Sequence, residues 1–247
     1  MSPVVRWSAQ PLFRDPPAVE SVRAQHVREA GESVRRALNL TVAIGSMLVV
    51  SPVLLAIALA VKLSSQGPVF YTQERVGLNS RRRPRDRRNR SRGASDRRDA
   101  DSGGKVFRMI KFRTMYVEEG DDRQVWARKN DPRITPVGKV LRAFRLDELP
   151  QLWNVIRGQM NIVGPRPEQP EIFVELRNEI TDYPRRQHVL PGITGLAQIN
   201  NGYDKTFKDV KRKLGFDLEY LDRKSPSEDF KIMAKTIPVV LGRKGYH

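Results

Sequence analysis

The sequence contains one uncharged run of 22 residues, Leu40 to Val61, which reads LTVAIGSMLVVSPVLLAIALAV. As a helix with a rise of about 1.5 Å per residue it is about 33 Å long, which is enough to cross the apolar core of a bilayer. A cleaved signal peptide fits poorly, because the run begins late in the chain and lacks an Ala-x-Ala-like exit. A buried core helix is the alternative, but uncharged stretches of soluble cores rarely run this long. The run therefore predicts a helix inserted in a membrane.

Two features of this run bear on how it lies in the membrane. Ser51-Pro52 stands at its middle, where proline removes a helix hydrogen bond and the serine hydroxyl can bond the freed carbonyl. Basic residues flank the run on both sides and by the positive-inside rule draw both ends to the cytoplasmic face; they are Arg23, Arg28, Arg35, Arg36, Lys62 and Arg75. A helix broken at Ser51-Pro52 that enters and leaves by the same leaflet explains both features. A spanning helix with a tolerated proline kink is the alternative, and the residues alone leave both open.

The charge of the chain calls for an anionic partner. Lysine and arginine number 45 against 28 aspartate and glutamate, which gives a formal net charge of +17. Nucleic acid, an anionic lipid surface and a phosphorylated substrate would each satisfy it. The absence of cysteine excludes a disulfide scaffold, a cysteine-ligated metal and a thiol nucleophile. Three widely separated histidines argue against a histidine-rich metal site.

Part of this charge is concentrated in residues 81–101, RRRPRDRRNRSRGASDRRDAD, where ten arginines and four aspartates carry +6 and leave +11 elsewhere. A segment without large apolar residues cannot bury enough surface to offset the entropy of ordering it. We therefore predict a disordered basic loop. The tract also suggests a rival interpretation, a membrane-tethered nucleic-acid-binding protein, which predicts salt-dependent retention of DNA or RNA.

The rest of the chain predicts an α+β fold that is mainly helical, with short strands. Alternation predicts strands at Val69–Arg75 and Val106–Met115, the second with Lys111 and Arg113 on one face. Helices are predicted to begin at Thr135-Pro136, at Pro150 and at Pro167, and to cover residues 216–224 and 228–241. The last helix carries an apolar stripe beside two lysines, which suits a membrane surface. An ordinary packed terminal helix is the alternative.

Asp147 and Glu148 fall between two predicted helices, just ahead of Pro150. Capping of a helix start is the simplest interpretation of such carboxylates. Because adjacent residues point in different directions, a division of labour is the more natural chemical interpretation. One carboxylate would attack a substrate while the other binds Mg²⁺, which prefers carboxylate and phosphate oxygens. We expect both side chains to be exposed, and the helix start to depress the pKa of Asp147.

Three further features are candidates for phosphate binding. Gly164-Pro165-Arg166-Pro167 holds an arginine in a stiff turn, where its planar fork suits a phosphate; a plain surface turn is the alternative. The glycine-rich turn at residues 191–195 is a candidate anion nest. Lys111 and Arg113 are either a solvated strand face or phosphate contacts. Together these pieces suggest phosphate chemistry at a membrane surface.

In this order the motifs resemble the bacterial sugar transferase family, monotopic phosphoglycosyl transferases that load a sugar phosphate onto a polyprenyl phosphate carrier. The matching segments are RRALNLTVAIGSMLVVSPVLL (35–55), GPVFYTQERVG (67–77), KVFRMIKFRTM (105–115), DPRITPVGKVLRAFRLDELPQLWNVIRGQMNIVGPRP (131–167), PGITGLAQINNGYD (191–204) and the C-terminal DLEYL and DFKIMAKTI. RLDELPQLWNV together with VGPRP is highly specific. The additional membrane helices of larger members are absent, so the chain resembles the minimal form.

The resemblance implies a two-step reaction that begins exopolysaccharide or related glycan assembly. Asp147 would attack the β-phosphate of a UDP-sugar and release UMP, and undecaprenyl phosphate would then take the phosphosugar from the aspartyl intermediate. Glu148 matches the Mg²⁺ ligand, and Arg166 matches a contact to the nucleotide diphosphate. The other candidate substrate-binding or supporting residues are Pro165, Pro167, Lys111, Asp217 and Asp229, to which the strand pattern adds Arg113.

The resemblance also implies a location and a division of the chain. The re-entrant helix would place the catalytic domain and both termini on the cytoplasmic side of the bacterial inner membrane, against anionic lipids. The expected parts are an N-terminal extension (1–33), the membrane helix (34–63), a cytosolic catalytic domain (64–241) and a tail (242–247). Nucleic acid is not an expected partner, because it leaves the acidic pair and the Pro-Arg-Pro turn unexplained. An oligomer is compatible with these features, and the transferred sugar cannot be read from them.

Two features depart from the family pattern. Asn39 stands where the family usually has an acidic residue near the start of the membrane helix, which removes a charge pair from that contact. Residues 80–104 are inserted ahead of the KVFRMIKFRTM strand. Each basic residue there would contribute about 1 kcal/mol of attraction to an anionic lipid surface. A tolerated loop without function is the alternative, because loop closure costs little more as length grows.

Overall fold

The computed structural model of the chain describes residues 18–79, 103–117, 131–200 and 206–242, with side chains described from residue 31 onward. The protein is mostly helical with a few short strands, which confirms the predicted mainly helical α+β class. Most of the predicted N-terminal extension, tail and basic insertion lies outside the described residues, so the predicted disorder of residues 81–101 stays a prediction.

Helix α1, Ala18–Ser64, contains the uncharged run and begins before it. Residues Gly31–Ser64 form the one described helix that is long and apolar enough to cross a membrane, and only 11% of its most apolar stretch is buried. Leu48, Val49 and Leu55 are each more than 70% exposed. Because so much apolar surface is unfavourable in water, the helix suits the apolar phase of a bilayer.

The helix continues through Pro52 without an interruption of its helical conformation. The proline lacks the N–H that would bond the carbonyl of Leu48, four residues earlier. The Ser51 hydroxyl donates a hydrogen bond of 2.8 Å to this carbonyl, as the sequence predicts. The structure therefore shows a satisfied proline site within one helix rather than a gap between two helices, and the same-leaflet topology stays a prediction.

Three side chains connect the start of the apolar segment of α1 to the rest of the protein. Arg35 donates from Nε to Asp229 (3.0 Å) and from Nη2 to the Tyr220 hydroxyl (2.6 Å). Arg36 donates to two main-chain carbonyls at the end of a short helix, those of Val155 (2.7 Å) and Ile156 (2.9 Å).

Asn39 is the third of these side chains. Its Oδ1 accepts a hydrogen bond from the Ile162 N–H (2.6 Å), and its Nδ2 donates to the Arg35 carbonyl (2.7 Å). An amide can make both bonds because it carries a donor and an acceptor. The expected weakening of this contact by asparagine is therefore offset by two hydrogen bonds, one buried and one partly buried.

The strands form two small sheets. β1 (Phe70–Val76) and β2 (Val106–Phe112) are antiparallel, with Phe70 opposite Phe112 and Val76 opposite Val106. Both were expected from the sequence within a few residues. β3 (Asn161–Val163) and β4 (Gly192–Thr194) are parallel and were not expected.

Two 3-10 helices, Leu146–Glu148 and Tyr183–His188, and six further α-helices complete the described fold. The α-helices are α2 (Pro136–Ala143), α3 (Gln151–Ile156), α4 (Pro170–Glu179), α5 (Leu196–Asn200), α6 (Phe207–Arg223) and α7 (Pro226–Leu241). Thr135 caps α2 by accepting from the Gly138 N–H at 2.9 Å, which confirms the predicted helix start. The helix expected to begin at Pro167 begins at Pro170 instead. α6 begins earlier than predicted, because Thr206 and Asp209 form a capping box ahead of it.

The end of α1 packs into the core beside the acidic pair. Ile57 and Val61 of α1 form one buried cluster with Phe112 and Leu141, and Leu146 and Leu149 pack against it. These two leucines flank Asp147 and Glu148 in the sequence. Apolar burial therefore holds the acidic pair next to the last turns of α1.

Candidate active site

Asp147 and Glu148 lie in a short 3-10 helix, Leu146–Glu148, between α2 and α3. The chain enters it through Arg145, the one described non-glycine residue with a positive φ, 53°. Such a left-handed conformation is unfavourable for a residue with a Cβ, so the surrounding packing must impose this sharp turn. Residues Asp147 and Glu148 are 8% and 7% exposed. The expectation that both are exposed is wrong, because the flanking leucines anchor the turn inward and cationic side chains cover it.

Glu148 is held by two cations. Its Oε1 accepts hydrogen bonds from Lys111 Nζ (3.0 Å) and Arg166 Nη2 (2.7 Å), and its Oε2 accepts from Arg166 Nη1 at 3.3 Å. Burial alone would raise the pKa of Glu148, but the charges of Arg166 and Lys111 outweigh burial and hold the pKa well below its usual range. Glu148 is therefore ionised at neutral pH.

Among the described residues, Lys111 and Arg166 donate no hydrogen bond to Asp147, and the pKa of Asp147 shifts in the other direction. Burial, followed by the negative charge of Glu148, raises the pKa of Asp147 above its ordinary value, against the opposing charge of Lys111. The expected depression by a helix start is wrong, since α3 is short and begins only at Gln151. The two carboxylates thus differ, one neutralised by cations and one poorly solvated. A poorly solvated carboxylate next to cations is suited to nucleophilic attack on a phosphate.

The Pro-Arg-Pro turn places Arg166 against Glu148. It follows β3, and its Pro165 carbonyl accepts from the Gly192 N–H at 3.0 Å. A Cβ on Gly164 would fall 2.5 Å from the Leu190 carbonyl oxygen, so only glycine allows this close backbone approach. Residues 191–195 were expected to form an anion nest. The Gly192 N–H is instead already bonded to the Pro165 carbonyl, so this turn supports the turn that carries Arg166.

A buried network lies behind Arg166, and the sequence analysis missed most of it. Arg186 donates to the Arg166 carbonyl (2.9 Å), to Glu168 (3.0 Å) and to Asp217 (2.8 Å). Lys213 also donates to Glu168 at 2.8 Å. Asp217 therefore lies behind the site and acts through Arg186. Glu168 follows the Pro-Arg-Pro turn directly, but no sequence signal distinguishes Arg186 from its neighbour Arg185.

Two other predicted residues are not brought to Glu148. Arg113 donates to the carbonyls of Gln66 (2.5 Å), Ser65 (2.8 Å) and Val61 (3.3 Å) at the end of α1. Cations are favoured at a helix C-terminus, so Arg113 fixes the exit of the membrane helix rather than a phosphate. Asp229 is paired with Arg35 and fixes the start of that helix.

The described side chains of the site could bind Mg²⁺ only together with ligands from a substrate. Among the described residues, no group of three or more acidic or histidine side chains is placed to hold a metal ion. Mg²⁺, however, commonly uses one or two carboxylates and completes its shell with substrate phosphates and water. A carboxylate accepts about four hydrogen bonds, and Glu148 accepts three. Its Oε2 keeps acceptor capacity, so the chemistry of the pair fits the ion.

Fold and site together define a class: a protein with one long apolar helix beside a buried pair of carboxylates, one of which is bonded by a lysine and an arginine. The family model described as bacterial sugar transferase matches residues 30–84 and 94–243. The chain therefore belongs to the bacterial sugar transferase family. The unmatched residues 85–93 fall within the arginine-rich tract, in agreement with an insertion there.

Curated relatives agree with this family. The UDP-glucose:undecaprenyl-phosphate glucose-1-phosphate transferase of Escherichia coli (strain K12) is 41% identical over 206 residues, which are 83% of this chain and 39% of the relative. A UDP-N-acetylgalactosamine-undecaprenyl-phosphate N-acetylgalactosaminephosphotransferase of Aeromonas hydrophila is 35% identical over 84% of this chain and 44% of its own length. The exopolysaccharide production protein ExoY of Rhizobium meliloti (strain 1021) is 35% identical over 89% of this chain and 90% of the relative. The chain thus spans less than half of the first two relatives and most of the third.

Proposed function

We propose that the protein transfers a sugar-1-phosphate from a UDP-sugar to undecaprenyl phosphate, with release of UMP, as the first membrane step of exopolysaccharide or related glycan synthesis. The observation that carries the proposal is the buried pair of Asp147 and Glu148, in which Lys111 and Arg166 neutralise only Glu148. The relatives' names support the two substrates, and they include both glucose and N-acetylgalactosamine transferases. The transferred sugar is therefore a matter for experiment.

The reaction proceeds in two displacements at one phosphorus. In the first, a carboxylate oxygen of Asp147 bonds to the β-phosphorus of the UDP-sugar, the bond from that phosphorus to the bridging oxygen breaks, and UMP leaves with this oxygen. In the second, an oxygen of undecaprenyl phosphate bonds to the same phosphorus and Asp147 regains its carboxylate. A covalent intermediate divides one difficult step into two easier ones.

The residues around Asp147 supply charge and position. Lys111 and Arg166 face the phosphate oxygens on which negative charge accumulates, and preorganised charges of this kind contribute much of phosphoryl-transfer catalysis. Glu148 orients both cations through its hydrogen bonds. Together with substrate oxygens, Glu148 would also hold Mg²⁺, which when bound neutralises diphosphate charge.

An apolar groove supports a polyprenyl acceptor. It has a volume of about 580 Å³ and lies between α1, from Pro52 to Ala60, and α2, at Val137, Val140 and Leu141. Leu146, the residue before Asp147, also lines it. A polyprenyl chain held there would leave its phosphate beside the nucleophile, since the groove opens on the apolar face of α1.

Several contacts support attachment to the cytoplasmic face of the bacterial inner membrane. The start of the membrane segment is bonded to α3 through Arg36, and its end is bonded to Arg113, directly after β2. Both ends therefore contact one catalytic domain, as a re-entrant helix requires. On α7, Phe230 and Ile237 are exposed near Lys231 and Lys235, which suits contact with anionic lipid.

The first prediction tests the nucleophile. Purified protein in detergent, with Mg²⁺ and a panel of UDP-sugars, should release UMP and form an adduct on Asp147 that intact-protein mass spectrometry detects without the lipid. Asp147→Asn should abolish both, because an amide cannot form the acyl phosphate. Removing a poorly solvated charge should leave the fold intact or slightly more stable by thermal unfolding. Full UMP release by Asp147→Asn would contradict the mechanism.

A further inference from the structure

Arg75 lies near the end of β1 and contacts the Pro-Arg-Pro turn. Among the described residues, it donates no hydrogen bond to Asp147 or Glu148. Its Nη1 donates to the Pro167 carbonyl at 3.1 Å, and its Nη2 donates to Gln73 Oε1 at 2.5 Å. Its Nε is buried and has no hydrogen-bond partner within the described part of the chain. A guanidinium carries five N–H donors, so most of its donors remain available.

The charge of Arg75 is also unmatched. In the ranges that the structure describes, no carboxylate forms an ion pair with it, although Glu148 and Glu168 are close enough to act on it electrostatically. Both of these carboxylates are already paired, Glu148 with Lys111 and Arg166 and Glu168 with Arg186 and Lys213.

Electrostatics agree with this geometry. Burial, followed by the positive charge of Arg166, lowers the pKa of Arg75 to about 10. Two guanidinium groups held close together, of which only Arg166 has an ion-paired carboxylate in the described structure, are unfavourable in the absence of a further anion. Such an arrangement is expected where an anionic ligand completes the charge balance.

The sheet directs Arg75 to the same side as Lys111. Opposed residues of an antiparallel pair share a face, and residues two apart along a strand do so too. Tyr71 is opposite Lys111, so Tyr71, Gln73 and Arg75 lie on the face of Lys111. From this face, Lys111 contacts Glu148 and Arg75 contacts the turn that contains Arg166.

We propose that Arg75 binds the diphosphate of the nucleotide donor and forms with Arg166 a two-arginine clamp across the Pro-Arg-Pro turn. The inference rests on the proposed function for the identity of the ligand. The donor is favoured over the lipid acceptor because Arg75 contacts the arginine turn, whereas the apolar groove is lined by α1, α2 and Leu146. The free N–H donors of a guanidinium suit two oxygens of one phosphate or one oxygen of each.

The test compares Arg75→Gln and Arg75→Lys with Arg108→Gln, which removes an equal charge from an exposed position of the same sheet. The dissociation constant for UDP is measured by calorimetry in detergent without lipid acceptor. We expect Arg75→Gln to weaken UDP binding about tenfold or more, Arg75→Lys to recover part of it, and Arg108→Gln to match the wild type. KM for the UDP-sugar should rise in the same order, while KM for undecaprenyl phosphate should not.

Thermal unfolding separates ligand binding from a purely structural role. Without UDP, Arg75→Gln should have a Tm equal to or above that of the wild type, because it removes an unmatched charge; the rise of Tm on adding UDP should be smaller. A lower Tm with unchanged UDP affinity would assign Arg75 to holding the turn, and an effect confined to the KM of the lipid would assign it to the acceptor. Either result overturns the proposal. UDP binding needs no turnover. These measurements therefore still test the role of Arg75 when no UMP release is detected.

Discussion

Asp147 and Glu148 are adjacent and equally buried, yet their pKa values move in opposite directions. The difference comes from Lys111 and Arg166, which both bond Glu148. For Glu148 these charges outweigh burial, whereas for Asp147 burial and the charge of Glu148 prevail. In the proposed reaction, Glu148 therefore serves as a fixed anion and Asp147 as the reactive carboxylate. At the scale of single residues, the site depends on which carboxylate the cations reach.

This asymmetry predicts the pH dependence of adduct formation. Because the pKa of Glu148 is lower in the folded protein than its unfolded value, 4.5, its ion pairs stabilise the fold fully above pH 4.5, and this stabilisation declines progressively as pH falls toward the lower folded value. Asp147 must be ionised to react, and its pKa is raised above 3.8. As pH falls, the rate should therefore decline before the fold is lost. Single-turnover rates and circular dichroism over the same pH range check this.

Glu148→Gln should shift the acid limb of the pH–rate profile, where the rate declines, to lower pH. The shift should be measurable on the residual activity of the variant. The change removes one cause of the raised Asp147 pKa and leaves the charges of Lys111 and Arg166 unopposed beside Asp147. It should also destabilise the fold by about 1–3 kcal/mol, since two cations lose their negatively charged acceptor. An acid limb that stays in place or moves to higher pH would show that Glu148 does not set the pKa of Asp147.

At the scale of elements, α3 connects the membrane helix to the acidic pair. It begins three residues after Glu148, and its last carbonyls accept hydrogen bonds from Arg36 of α1. Asn154 of α3 also accepts from the Ile110 N–H of β2 at 3.1 Å. Through these bonds a displacement of α1 would be transmitted to the turn that carries Asp147.

Arg36→Gln should therefore lower both stability and activity. It removes two charge-assisted hydrogen bonds at a helix C-terminus, a loss of about 1–3 kcal/mol. Arg157→Gln is the matched control, because Arg157 is an exposed arginine at the end of α3 and should change stability by about 0.5 kcal/mol or less. Thermal unfolding and UMP release are measured on both. Equal losses in the two variants would argue against a coupling role for Arg36.

At the scale of the whole molecule, sequence patterns predicted those features that depend on residues close together in the sequence. The apolar helix, the Thr135 cap and the first two strands follow from composition, capping and alternation. Pairing of Lys111, Glu148 and Arg166 could be suspected only from the resemblance. The three-residue strands β3 and β4 have no alternation to detect, and the partners of Arg113 lie 47 to 52 residues away in sequence. Burial of the acidic pair depends on packing of Leu146 and Leu149 against α1, which no local signal contains.

The last prediction concerns how the whole molecule sits at the membrane. α3 contacts the start of the apolar segment through Arg36, and Arg113, directly after β2, contacts its end; β2 and α3 are themselves joined by a hydrogen bond. A helix of about 33 Å that spanned the bilayer would place these contacts on opposite sides. The chain has no cysteine, so Ser33→Cys and Gln66→Cys give single reporters on the two flanks. In intact cells both should react only with a membrane-permeant maleimide, and labelling of either one by an impermeant reagent would establish the spanning topology instead.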